Sequence, residues 1–208
     1  MKTMKVLLIN GSPHPRGCTY TALNEVAKTL EQEDIETEII QVGQKDIRGC
    51  IGCRQCKTNG QCVFDDEVNV VSKKFAESDG IVIGSPVYYA SANGTLISFL
   101  DRLFYSTLAD KTMKVGAAVV SARRAGTTAT FDELNKYFTI SQMPIVSSQY
   151  WNMVHGNTPE EVQQDLEGLQ TMRTLGKNMA FLIKSIQLGK KQLGLPKKEE
   201  SVHTNFIR

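Results

Sequence analysis

The sequence predicts an α/β fold, a doubly wound five-stranded parallel sheet with helices on both faces. Three observations carry the prediction. Short runs rich in Val, Ile and Leu recur along the chain with little polar alternation, as in strands buried on both faces. Each run is followed by a stretch whose apolar residues return every three or four positions, the period of an amphipathic helix. The junctions carry glycine, proline, serine and threonine, and in this architecture ligands sit at the carboxyl ends of the strands where strand order reverses.

The elements follow in order. Val6 to Ile9 is the first strand, the loop NGSPHPRGCT leaves it, and Leu23, Val26, Ala27 and Leu30 give the next helix one apolar face. ETEIIQV (36–42) is the second strand, and Asp65-Asp66 is placed to cap a helix carrying Val68, Val71, Phe75 and Ala76. GIVIGSPVYYA (80–90) is a strand running into a loop, and Leu96, Ile97, Leu100, Leu103 and Phe104 form the stripe of its helix. KVGAAVVSA (114–122) is the fourth strand, with Phe131, Leu134 and Phe138 on the helix after it, and PIVSSQYW (144–151) is the fifth. Thr158-Pro159-Glu160-Glu161 reads as a capping box with proline at the first helical position. It opens one long helix bearing Val162, Leu166, Leu169, Met172, Leu175, Met179, Leu182 and Ile186. The expected division is a single domain over residues 1–189, with a cysteine-rich insertion at 44–66 and an irregular tail at 190–208 that packs on a neighbouring subunit or stays loose.

Composition narrows the function. The chain has 208 residues, 41% of them hydrophobic, enough for one sizeable core. Twenty-four Lys and Arg against 22 Asp and Glu leave a formal charge of +2, which speaks against nucleic acid or an anionic membrane as partner. Only four apolar residues follow Lys5 in a row, too few for a signal-peptide core or a membrane span. The expected address is the reducing cytoplasm, where clustered cysteines more often bind metal or do redox chemistry than form disulfides.

The first loop, GSPHPRGCT, is neither GxGxxG nor GxxxxGK[ST]. It surrounds a helix N-terminus with Ser12, Gly17, Thr19 and Thr21 and has no lysine to reach further phosphates, so it suits one phosphate group; alternatively Ser12 and Thr19 only cap the helix. The third loop, SPVYYASANG, offers Tyr88 and Tyr89 to flank a flat heteroaromatic ring, or merely to cover the sheet end. The fourth, SARRAGTT, brings two arginines and a glycine to the same edge, where arginines are otherwise simply solvated.

With these stretches in view, the chain resembles the flavodoxin-like NAD(P)H-dependent FMN reductases, and in particular their iron–sulfur flavoprotein branch. The resemblance runs from NGSPHPRGCTYTAL through the four-cysteine stretch, IVIGSPVYYASANGTLISFLDR and SARRAGT to SSQYWNMVHG and DLEGLQTMRTLGKNMAFL. It implies strand order 2-1-3-4-5. It implies that Ser12, His14, Gly17, Cys18, Thr19 and Tyr20 surround an FMN phosphate, that Pro86, Val87, Tyr88 and Tyr89 line the isoalloxazine, and that Ser121, Arg124, Gly126 and Thr127 lie on its other side. His14 stands where the family commonly has arginine, and Cys18 where it commonly has asparagine. The resemblance further implies homodimers or homotetramers.

Cys50, Cys53, Cys56 and Cys62 follow CxxCxxCxxxxxC, in a chain with five cysteines in all. In the cluster-bearing branch a motif of this kind ligates [4Fe-4S], and two-residue gaps with Gly52, Gly60 and a longer fourth arm suit four thiolates converging on one point. A structural zinc is the second reading, and an empty or oxidised cysteine loop the third. His14, His155 and His203 show no metal-ligand spacing, and His155 is read as structural or as facing a ligand. The expected activity is an FMN-dependent oxidoreductase taking hydride from NAD(P)H and passing electrons to a small-molecule or protein acceptor, with no side chain named as catalytic acid or base. The alternatives are an electron carrier without nicotinamide turnover and a nonredox module that binds a nucleotide at the same edge.

Overall fold

A computed structural model of the chain describes residues 3–204 and 206. Five parallel strands lie in the order β2-β1-β3-β4-β5: β1 Lys5–Asn10, β2 Glu36–Gln41, β3 Gly80–Pro86, β4 Val115–Ala122 and β5 Met153–His155. The helices are α1 Cys18–Gln32, α2 Cys56–Asn59, α3 Glu67–Glu77, α4 Gly94–Ser106, α5 Thr127–Thr139, α6 Pro159–Gln164 and α7 Leu166–Leu193. The expected fold class and strand order are those observed.

Strand period two explains why the apolar runs are continuous. Val6, Leu8, Val82, Ala117 and Val119 point to the side covered by α1 and α7, whereas Leu7, Ile9, Ile81, Ile83, Ala118 and Val120 point to the side covered by α3, α4 and α5. Both faces of β1, β3 and β4 are therefore core, and no position is left for a polar alternate until the strand ends at Asn10 and Ser121.

Two expectations shift. The fifth strand forms at Met153–His155 and not across 144–151. Only Ile145 keeps a parallel bridge, to Gly116, because the residues after it are drawn toward α7: Ser148 Oγ donates to the Thr171 carbonyl at 2.7 Å, and Asn178 Nδ2 to the Ser147 carbonyl at 2.9 Å. The single long helix is two helices broken at Asp165, whose φ of −77° and ψ of 75° leave the helical region. Asp165 Oδ1 caps α7 through the Gly168 amide at 2.9 Å while Oδ2 accepts the His155 amide at 2.7 Å. A residue that caps one helix and ties down a strand cannot also continue the preceding helix. Thr158 does cap α6, accepting from the Glu161 amide, and Glu161 reaches back to the Asn157 amide at 2.6 Å. Leu166 is consequently exposed, while Val162, Leu169, Met172, Leu175 and Met179 are buried as expected.

Candidate functional site

The loops after β1, β3 and β4 meet at the carboxyl edge of the sheet and are held to one another by named bonds. Gly11 N donates to the Gly84 carbonyl at 2.8 Å and Asn93 Nδ2 to the Gly11 carbonyl at 2.7 Å, tying the first loop to the third. Thr19 and Ser121, both buried, share a hydroxyl hydrogen bond of 2.7 Å that ties the first to the fourth. Val87 N donates to the Ser121 carbonyl at 3.0 Å, and Gly126, at a φ of 87°, packs so closely on Val87 and Ala90 that a Cβ there would stand 2.9 Å from either.

The first loop is shaped from beneath. Asn10 is fully buried; its Oδ1 accepts the Ser12 amide at 3.1 Å and its Nδ2 donates to Gln41 Oε1 at 2.6 Å, while Gln41 Nε2 donates to the Ser12 carbonyl at 2.6 Å. Ser12 Oγ accepts the His14 amide at 3.1 Å, so Ser12 organises the loop and does not cap α1. The N-cap of α1 is Gly17 and that of α5 is Gly126, neither with a capping side chain. Among the described helices of at least eleven residues these two are the uncapped ones, since Asp66, Asn93 and Asp165 cap α3, α4 and α7. Both uncapped ends open at the loop edge, where the first-turn amides can take an anion.

The third loop reverses tightly. Tyr88 and Ser91 exchange backbone bonds of 2.9 and 3.0 Å, and the two residues between them, Tyr89 and Ala90, have φ of 51° and 60°, as in a type I′ turn. Neither is glycine, so each position costs about 1–3 kcal/mol. Glu133 of α5 holds the turn: its Oε2 accepts from Ser91 Oγ at 2.8 Å and from the Ala92 amide at 2.9 Å. The turn leaves Tyr89 fully exposed and Tyr88 half-exposed beside half-buried Pro86 and Val87. His14 and Arg124 are exposed, Tyr20 half-buried and Thr127 buried.

Thus the structure gathers Ser12, Gly17, Thr19, Val87, Ser121, Gly126 and Thr127 at one edge, whereas His14, Tyr89 and Arg124 stand out from it. Asn10, Gln41, Asn93 and Glu133 were not anticipated. Only Asn10 left a trace in the sequence, a polar residue closing an otherwise apolar strand.

Cys18 Sγ donates to the Gly156 carbonyl at 3.6 Å. Burial pushes its thiol pKa up, and the Glu161 and Glu160 carboxylates add to the shift. In the iron-free protein Cys50 and Cys53, both exposed, are expected to alkylate first near neutral pH. Cys18 should follow only as the pH passes the ordinary thiol range, because the thiolate is the nucleophile. Mass mapping across a pH series checks the order.

The cysteine loop packs on the outer half of α4, where it meets Arg102, Tyr105 and Ser106; Arg102 is nine residues from the Asn93 cap, about 13 Å along the axis at 1.5 Å per residue. Arg102 is 1% exposed. Its Nε donates to Cys62 Sγ at 3.2 Å, and its Nη1 and Nη2 donate to the two Asp66 carboxylate oxygens at 2.7 and 2.8 Å. Burial opposes the charge, but Asp66 and Cys62 outweigh it and the guanidinium pKa is raised. Phe64 sits under the guanidiniums of Arg48 and Arg102, at 4.6 and 4.9 Å.

Cys50, Cys53, Cys56 and Cys62 line one cavity together with Arg102, Tyr105 and Ser106. All four are free thiols, yet among the described residues no three His, Cys, Asp or Glu side chains are gathered closely enough to hold a metal ion. The donor set nevertheless fits a thiolate-held cluster in kind: four cysteines line one cavity together with buried Ser106, whose hydroxyl has no hydrogen-bond partner among the described residues. No described helix is long and apolar enough to cross a membrane.

Comparison with known proteins accords with this geometry. Residues 4–158 match the family described as NADPH-dependent FMN reductase. An iron-sulfur flavoprotein of Methanocaldococcus jannaschii is 35% identical over 192 residues, spanning 88% of this chain and 100% of its own. Another, of Methanosarcina thermophila, is 26% identical over 189 residues, spanning 88% and 97%. Among solved structures, RosB with a bound 8-demethyl-8-formylriboflavin-5'-phosphate superposes with a TM-score of 0.70 at 16% identity, over 99% of this chain and 94% of that one. A flavodoxin from the domain Archaea gives 0.58 at 16% identity, over 87% and 99%. The fold is therefore flavodoxin-like, and the chain belongs to the NADPH-dependent FMN reductase family, in its iron–sulfur flavoprotein branch.

Proposed function

We propose that the chain is an FMN-dependent oxidoreductase that takes hydride from NADH or NADPH and hands electrons to a small-molecule or protein acceptor, with Cys50, Cys53, Cys56 and Cys62 holding a [4Fe-4S] cluster. The carrying observation is the bonded edge of three loops with two uncapped helix N-termini opening onto it. When bound, FMN supplies hydride acceptance and the cluster one-electron delivery. The chain's own part is placement. The amides of Cys18, Thr19 and Tyr20 and the dipole of α1 take the phosphate, in a loop whose course Ser12, His14 and Gly17 set. Pro86, Val87, Tyr88 and Tyr89 flank the ring on one side, and Ser121, Arg124, Gly126 and Thr127 on the other. No side chain at this edge is assigned a proton transfer.

The same reading assigns the chain to the cytoplasm and gives the half-exposed Tyr150 and Trp151, whose ring centroids lie 5.0 Å apart, to a contact with a second copy in a dimer or tetramer. α7 continues through Leu193, and beyond it Lys198 Nζ donates to Asp110 Oδ1 of the same chain at 2.6 Å.

Anaerobic purification followed by an absorbance spectrum and iron, sulfide and zinc assays tests both cofactors. A yellow protein whose flavin band bleaches on adding NADH or NADPH is the expected result. Bleaching only when a separate reductase is present would make it a carrier, and a colourless protein that takes up no FMN overturns the reading. Glu133→Ala releases the Tyr88–Ser91 turn, so FMN affinity should fall about tenfold, or 1.4 kcal/mol. Glu133→Gln, which keeps an acceptor oxygen, should recover most of it in the same fluorescence titration.

A further inference from the structure

Arg102 and Ser106 stand one turn apart on α4 and face the same cavity. Arg102 already donates Nε to Cys62 Sγ at 3.2 Å. Ser106 is 2% exposed, and its Oγ has no partner among the described residues. A buried hydroxyl with no acceptor is costly, and the cavity that Ser106 lines is lined by Cys50, Cys53, Cys56 and Cys62 as well. We infer that Arg102 and Ser106 are hydrogen-bond donors from the domain helix to the sulfurs of the thiolate-held cluster, and that together they raise its reduction potential.

The sign follows from charge. One-electron reduction adds a negative charge to the cluster and its thiolates, and donors aimed at sulfur stabilise that more negative state. Removing a donor therefore lowers the potential. Arg102 bonds to Arg48, Cys62, Phe64 and Asp66, none of them in the loops at the sheet edge, so both residues act as positioning and tuning groups. Arg102 also carries the bidentate bond to Asp66, which makes Ser106 the cleaner probe.

The inference rests on the cluster reading, and the test separates the two. Wild type, Ser106→Ala, Ser106→Thr and Arg102→Lys are purified anaerobically, assayed for iron and sulfide, and titrated with dithionite while the reduced cluster is followed by electron paramagnetic resonance. Ser106→Ala and Arg102→Lys are expected to hold wild-type iron and titrate at lower potential, and Ser106→Thr, which keeps a hydroxyl, to stay close to wild type. A fully loaded Ser106→Ala with an unmoved potential overturns the donor role alone. Wild-type protein without iron and sulfide removes the cluster and the inference with it.

Discussion

Asp66→Ala is expected to lower the melting temperature by about 6–20 °C, from a loss of about 3–5 kcal/mol at 2–4 °C per kcal/mol for a chain of this size. The reason is the position of its partner. Arg102 is 1% exposed, and both of its terminal nitrogens end on the Asp66 carboxylate. Truncating Asp66 leaves a guanidinium that can neither reach water nor shed its proton. Asp66 also caps α3 by accepting the Val68 amide at 3.1 Å, and losing a cap costs about 1 kcal/mol more. Asp66→Asn separates the two roles, because asparagine caps as well as aspartate but brings no charge. It should be destabilised less than the alanine variant by about the worth of the cap. Equal melting temperatures for Asp66→Ala and wild type would show that the pair does not anchor the cysteine loop to α4.

Gly43→Ala should lower FMN affinity by about 10–100-fold, equivalent to about 1.4–2.8 kcal/mol. Gly43 follows β2 and lies directly under the first loop, where a Cβ would stand 2.2 Å from the carbonyl oxygens of both Gly11 and Ser12. Those oxygens belong to backbone, so the added methyl displaces the loop and cannot be absorbed by a rotamer change. Overpacking of this kind costs about 1–3 kcal/mol. Gln41 and Asn10 hold the same segment, so the displacement propagates to the loop preceding α1. Fluorescence titration of FMN measures the loss, and a melt without flavin measures the accompanying destabilisation. Wild-type affinity in a variant that melts lower would dissociate the first loop from the flavin phosphate.

Much of the architecture was legible because its signals are local. The runs at Val6–Ile9, 80–86 and 115–122 and the periodic faces of α1, α4 and α7 are properties of neighbouring residues, and a two-faced sheet is the compact way to bury them. The glycine- and hydroxyl-rich first loop was legible for the same reason, but that α1 has no side-chain cap was not, since serine and threonine are favoured caps. The exceptions are instructive. The fifth strand moved to Met153–His155 because residues 147–149 bond to α7, and the last helix broke because Asp165 serves His155 and Gly168 at once. In both cases a contact across the fold overrode a local pattern.

By itself the sequence determined the fold class, the strand order through its resemblance, the loops that meet at the carboxyl edge and the cysteine spacing. Tertiary structure alone decided which partners those residues have. Glu133 reaches Ser91 across 42 positions, Thr19 reaches Ser121 across 102, and Arg102 reaches Cys62 across 40. Arg102 reads in sequence as one more solvated charge on an amphipathic helix, yet it is among the most buried side chains in the domain. Periodicity records which face a residue turns to the core, and only the packing of elements distant in sequence fixes what waits there.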